Sequence, residues 1–241
     1  IDSPGISVKL SAIHPRYDFA NYDRVMNELT PRLKQLALLA KKYDIGFTVD
    51  AEEANRLDLS LDVIGAVFAD PELDGWEGYG LAVQAYQKRA YYVLEWLADL
   101  SVKVGRKMMV RLVKGAYWDT EVKFSQENGF EGYPCFTRKA STDVSYLACA
   151  KLMLSRRDAF YCQFASHNAH TVASILEMAG NDRTFEFQRL HGMGEALYEQ
   201  IVDKDGENVP CRVYAPVGTH EDLLAYLVRR LLENGANTSF V

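Results

Sequence analysis

Seven short apolar runs recur along the chain, and each is followed by a longer stretch whose apolar residues fall at helical spacing. The runs are ISVKLS (6–11), GFTVDA (46–51), GLAVQAY (80–86), MMVRLVKG (108–115), FYCQFAS (160–166), FEFQRL (185–190) and CRVYAP (211–216). Their length and their β-branched and aromatic content predict strands. The longest helical pattern covers 22–44, where Pro31 is expected to kink or divide the helix. A second helix is expected to start with Ser141 as its N-cap, and the last follows the capping-box-like Thr219-His-Glu-Asp. Strands alternating with helices imply βαβ units around a parallel sheet. No GxGxxG follows any strand, so a doubly wound dinucleotide-binding sheet is disfavoured. The expected fold is an α/β (β/α)8 TIM-type barrel in one domain over 1–241, with its first strand missing. A chain that opens with Ile1 and runs at once into a strand reads as a fragment of a larger protein.

The period of two within each run separates two faces. Val8, Val49, Val83, Val110 with Leu112, Phe187 and Val213 lie on one face, suited to packing under helices. Lys9, Asp50, Gln84, Arg111, Gln188 and Tyr214 lie on the other, near the C-terminal end of each run. In a barrel that second face is the interior, and the C-terminal mouth is where such folds do their chemistry. The stretch VRLVKGAYWD (110–119) poses the sharpest question, because a guanidinium within a buried strand costs several kcal/mol unless it is paired. Either Asp50 pairs with Arg111 or Lys9 to fill the barrel, or a ligand is held there.

The formal net charge of -6 argues against a nucleic-acid surface. No apolar run reaches the roughly 18–20 residues of a membrane-spanning helix and no signal peptide opens the chain, so a cytoplasmic setting is expected. The four cysteines lack zinc-like spacing, HNAH (167–170) is a weak metal pair, and no metal is expected. On the last helix Tyr226, Arg229, Arg230 and Glu233 form one polar stripe, either a solvated face or a paired-guanidinium site for a carboxylate. FTRKASTD (136–143) and SHN (166–168) precede helices and suit either a phosphate or ordinary capping.

The motifs ISVKLSAIHPRY, FTVDAEEANRLDLSLDV, VRLVKGAYWD, YPCFTRKASTDVSYLACAK, FASHNAHT, FQRLHGMGEALYEQ and CRVYAPVGTHEDLLAYLVRRLLENGANTSFV together resemble the proline dehydrogenase domains of the bacterial proline utilization A family, from Gly5 to Val241. The resemblance implies a barrel with FAD at its mouth, oxidation of L-proline to Δ1-pyrroline-5-carboxylate by hydride transfer to flavin N5, and a membrane quinone as electron acceptor at the inner-membrane surface. By motif, Lys9, Arg229 and Arg230 would hold the proline carboxylate, and Tyr214, Tyr226 and Leu190 would enclose its ring. Asp50 would orient Tyr214 or Lys9. Arg111 would approach flavin N5 and owe its burial to that partner, with Gln84 and Val113 on the flavin ring and Gly115, Ala116 and Trp118 lining the cofactor. Thr137, Lys139, His167, Asn168 and Gln188 would take its phosphate and ribitol groups, and Glu233 its adenosine side. The resemblance also implies an aldehyde dehydrogenase domain in the native chain.

Two features depart from the family. Ser166 stands where relatives usually carry Thr, and the first strand, which contributes an acidic residue in the family, is not seen. A different enzyme class is a Schiff-base aldolase using Lys9 or Lys114. A barrel acting only as an interaction module is the non-catalytic alternative.

Overall fold

The computed structural model describes residues 3–219, 221, 223, 224, 226 and 228. Seven strands, β1 (Gly5–Val8), β2 (Gly46–Val49), β3 (Tyr79–Gln84), β4 (Met108–Val113), β5 (Phe160–Ala165), β6 (Glu186–Leu190) and β7 (Cys211–Tyr214), form one parallel sheet in chain order. Helices fill the crossovers, as parallel neighbours require. They are α1 (Leu10–Ile13), α2 (Tyr22–Lys42), α3 (Leu57–Phe68), α4 (Ala90–Val104), α5 (Trp118–Glu127), α6 (Lys139–Ser155), α7 (Ala169–Ala179) and α8 (Glu195–Val202).

All seven runs form strands, although the first ends sooner than expected, because Leu10 already opens α1. Pro31 does not divide α2, which runs unbroken from Tyr22 to Lys42. Val25, Leu29, Leu33 and Ala37 hold the helix to the core on both sides of it, while Pro31 and Asn27, whose carbonyl it leaves without an amide, both face solvent. Ser141 is not an N-cap either: α6 starts at Lys139, and Arg138 at its N-cap makes no side-chain capping bond.

Phe47, Val49, Leu81, Val83, Val110, Leu112, Cys162, Phe164 and Phe187 are buried beneath the helices. The alternate residues point into the curl of the sheet. Contacts across it show how far it bends, since hydrogen-bonded strands lie about 4.8 Å apart and a flat sheet would put β4 about 14 Å from β1 and β7 about 24 Å from β2. Arg111 on β4 instead reaches Ser7 on β1 at 3.0 Å, and Tyr214 on β7 reaches Asp50 after β2 at 3.1 Å. The architecture is a TIM-type barrel wall lacking one strand. Among the described residues no ladder joins β1 to β7, and Arg212 Nη1 bridges that side by donating to the Ser3 carbonyl at 2.7 Å.

Candidate functional site

The C-terminal ends of the parallel strands all open on one mouth, where interior side chains meet. Asp50 forms an ion pair with Arg111 Nη2 and accepts a hydrogen bond from the Tyr214 hydroxyl. Arg111 is 8% exposed, and its Cζ lies 5.1 Å from the centroid of the Tyr214 ring. The guanidinium thus has a carboxylate, the Ser7 hydroxyl and an aromatic face as partners within the chain. The burial of Arg111 needs no ligand to explain it, because Asp50 neutralises it. Burial raises the Tyr214 hydroxyl pKa to about 12, and the adjacent Asp50 charge adds to the rise against the opposing Arg111. Tyr226 adds a smaller contribution of the same sign, and Leu190 is the register partner of Tyr214 on β6.

Lys9, just past β1, does not join Asp50. Its ammonium donates to the Tyr117 hydroxyl at 2.9 Å and lies 5.6 Å from that ring's centroid. Tyr117 is a site residue that the sequence reading passed over, since its partner lies 108 positions away and no local pattern links them.

Next to this cluster lies the turn after β4. Gln84 at the end of β3 donates to the Glu52 carbonyl at 2.9 Å and accepts from the Ala116 amide at 3.2 Å, tying the loops after β2 and β4 together. Gly115 has φ +145° and lies so close to the Tyr86 ring that a Cβ would overlap it, so glycine is required there. Val113 closes β4, and Trp118 at the rim is 36% exposed and donates through its indole to the Phe136 carbonyl at 2.9 Å. Lys114 forms an ion pair with Asp143 on α6. Thr137 is exposed just before the first turn of α6, which contains Lys139.

On the far side, Asn168 caps α7 by accepting from the Thr171 amide at 2.9 Å, while Ser166 Oγ accepts from the Asn168 amide at 3.1 Å. His167 Nε2 accepts from the Leu190 amide at 3.0 Å. Gln188 donates to Glu186 Oε1 at 2.8 Å, and the same carboxylate receives Gln163 at 2.8 Å and a forked pair from Arg212 at 2.8 and 2.9 Å. This carboxylate hub was not singled out from the sequence, though Glu186 lies two residues before Gln188 and shares its face. Arg229, Arg230 and Glu233 lie outside the described residues.

A wall of parallel strands with a cation-rich, aromatic mouth defines a small-molecule enzyme site. The family model described as proline dehydrogenase matches residues 1–241, and the chain belongs to that enzyme family. Bifunctional protein PutA of Klebsiella aerogenes is 62% identical over 246 residues, an alignment that takes in all of this chain and 19% of that protein. Proline utilization A of Bradyrhizobium japonicum superposes with a TM-score of 0.94 at 64% identity, covering 99% of this chain and 24% of that one. The corresponding Bdellovibrio bacteriovorus protein, in a structure described as inactivated by N-propargylglycine, gives 0.91 at 34% identity, covering 97% and 24%. The chain thus spans about a fifth of the length of the curated PutA relatives.

Proposed function

We propose that residues 1–241 form the proline-oxidising domain of a longer bifunctional protein, converting L-proline to Δ1-pyrroline-5-carboxylate with FAD as cofactor. The carrying observation is the convergence of Lys9, Asp50, Arg111, Tyr117 and Tyr214 from four strands on one mouth. In this reading Lys9, joined by Arg229 and Arg230, binds the proline carboxylate, an anion suited to a cluster of cations. Tyr214, Tyr226 and Leu190 pack the apolar ring. Asp50 orients Tyr214 and Arg111 together and leaves Lys9 to Tyr117.

The residues present fit a flavin dinucleotide. Gln163 is buried in the wall at the register of Arg111, and its amide oxygen has no hydrogen-bond partner among the described residues, so it is available to a bound molecule. Gln84, Val113, Gly115, Ala116 and Trp118 would border the ring system, with Arg111 toward N5. Thr137, Lys139, His167, Asn168 and Gln188 would meet the ribitol and phosphates, with Glu233 on the adenosine side. When bound, FAD supplies the hydride acceptor for the carbon next to the proline nitrogen. The protein positions substrate and charge around it.

Electrons then pass to a membrane quinone, with the protein peripheral to the inner membrane, and an aldehyde dehydrogenase domain of the same protein completes the bifunctional chain. The aldolase alternative is disfavoured by the ion-paired Lys114 and the hydrogen-bonded Lys9, neither of which is the unpartnered amine that Schiff-base chemistry uses. Replacing Arg111 by Met in the full-length protein should abolish proline-dependent dye reduction, and unchanged reduction would remove Arg111 from the reaction. N-propargylglycine is expected to inactivate the wild-type protein.

A further inference from the structure

One buried carboxyl near the mouth plays no part in the reaction described above. Glu121, in the first turns of α5, is 4% exposed, and among the described residues no cation forms an ion pair with it. Burial raises its pKa, the Ala54 amide opposes that in part, and Glu53 adds a smaller rise. A buried carboxyl without a counter-ion costs stability unless its hydrogen bonds secure something else. Glu121 Oε1 accepts from the Ala54 amide at 2.6 Å, which fastens α5 to the loop after β2. One turn earlier on the same helix, the Glu121 amide donates to the Tyr117 carbonyl at 2.9 Å. The carboxyl therefore anchors the backbone that presents the Tyr117 hydroxyl to Lys9. The same two loops are joined a second time through Gln84, from the Glu52 carbonyl to the Ala116 amide.

We infer that Glu121 is a positioning residue for substrate binding: by gripping the Ala54 amide it holds Tyr117 against the Lys9 ammonium and so sets the place of the cation that receives the substrate carboxylate. The inference rests on the reading that Lys9 binds that carboxylate. Its effect is on affinity, because the Lys9 and Tyr117 pair touches the carboxylate end and not the carbon that loses hydride.

The test is a double-mutant cycle on proline oxidation by the full-length protein. Glu121→Ala is expected to raise KM for proline about tenfold with kcat within about twofold, and Glu121→Gln, which keeps an acceptor for Ala54, to restore KM. In a Tyr117→Phe background Glu121→Ala should add less than about twofold, because the hydroxyl it positions is gone. Ala54→Pro is the independent variant should Glu121→Ala fold poorly. Ala54 is the first residue of a short 3-10 turn (Ala54–Arg56), and Glu53 before it has φ -64° and ψ 153°, a conformation compatible with a following proline. This change removes the donor and puts the ring Cδ in its place against Glu121 Oε1, so the carboxyl loses its hold on this backbone and KM should rise as in Glu121→Ala. Equal effects of Glu121→Ala with and without the Tyr117 hydroxyl, or an unchanged KM in Ala54→Pro, would overturn the inference. Lys9→Met separates it from the reading beneath it. If that change leaves KM unaltered, both fail; if it raises KM while the Glu121 and Ala54 variants do not, the positioning role alone fails.

Discussion

Asp50→Ala tests whether the mouth is organised around one carboxylate. The substitution removes the ion-pair partner of Arg111 and the acceptor of the Tyr214 hydroxyl at once. Removing one member of a buried pair costs about 3–5 kcal/mol, because the other charge stays buried without compensation. Arg111 keeps Ser7 Oγ at 3.0 Å and the Tyr214 ring at 5.1 Å, so the lower end, about 3 kcal/mol, applies here. For a domain of this size that corresponds to a fall in Tm of about 6–12 °C. Differential scanning calorimetry of the wild type and Asp50→Ala measures it. Asp50→Asn keeps one oxygen for Arg111 and turns an NH2 toward the Tyr214 hydroxyl, which can accept from it, and should lose roughly half as much. It also removes the anion that helps to hold the Tyr214 pKa at about 12, so the Tyr214 resonance should titrate at lower pH than in the wild type, while burial keeps it above the ordinary 10.0. A fall in Tm below about 2 °C for Asp50→Ala would refute the argument, since it would mean that Arg111 does not depend on this carboxylate.

Three further outcomes are expected. Gly115→Ala places a methyl group against the Tyr86 ring at a φ of +145°, and thermal unfolding should report a loss of about 1–3 kcal/mol; an unchanged Tm would show that the turn yields freely. Tyr117→Phe removes a hydrogen bond to an ammonium and should raise KM for proline about tenfold in steady-state kinetics, with no change counting against the role of Lys9. The folded-state pKa of Glu121 is raised above 4.5, so its contribution to stability is fully present below that value and lost as pH rises through the raised one. The uncharged Glu121→Gln variant should therefore gain on the wild type as pH rises from about 4 to 8 in urea denaturation, and a constant gap across that range would contradict the assignment.

The strands were legible because a wall packed under helices must alternate, and that alternation told interior from exterior at Lys9, Asp50, Arg111 and Tyr214. It carried no information on which interior groups pair. Asp50 had two candidate cations on the same face, and only the curl of the sheet, which brings β4 and β7 to β2, selects Arg111 and Tyr214. Tyr117 was missed for the same reason. The hub at Glu186 does have a sequence signal, since Glu186 and Arg212 lie two residues before Gln188 and Tyr214 on the same faces, one layer below the strand ends where chemistry is expected. Local signals were overruled where packing was strong: the apolar stripe of α2 continues through Pro31, and α6 begins two residues before Ser141.

The most direct test of the central claim, that these side chains seat proline against a bound flavin, is the anaerobic visible spectrum of the purified full-length protein before and after excess L-proline. A flavin absorption band that bleaches on adding L-proline, and persists with D-proline, is the expected result. A colourless protein that takes up no FAD, or a flavin band that L-proline leaves unchanged, would contradict it.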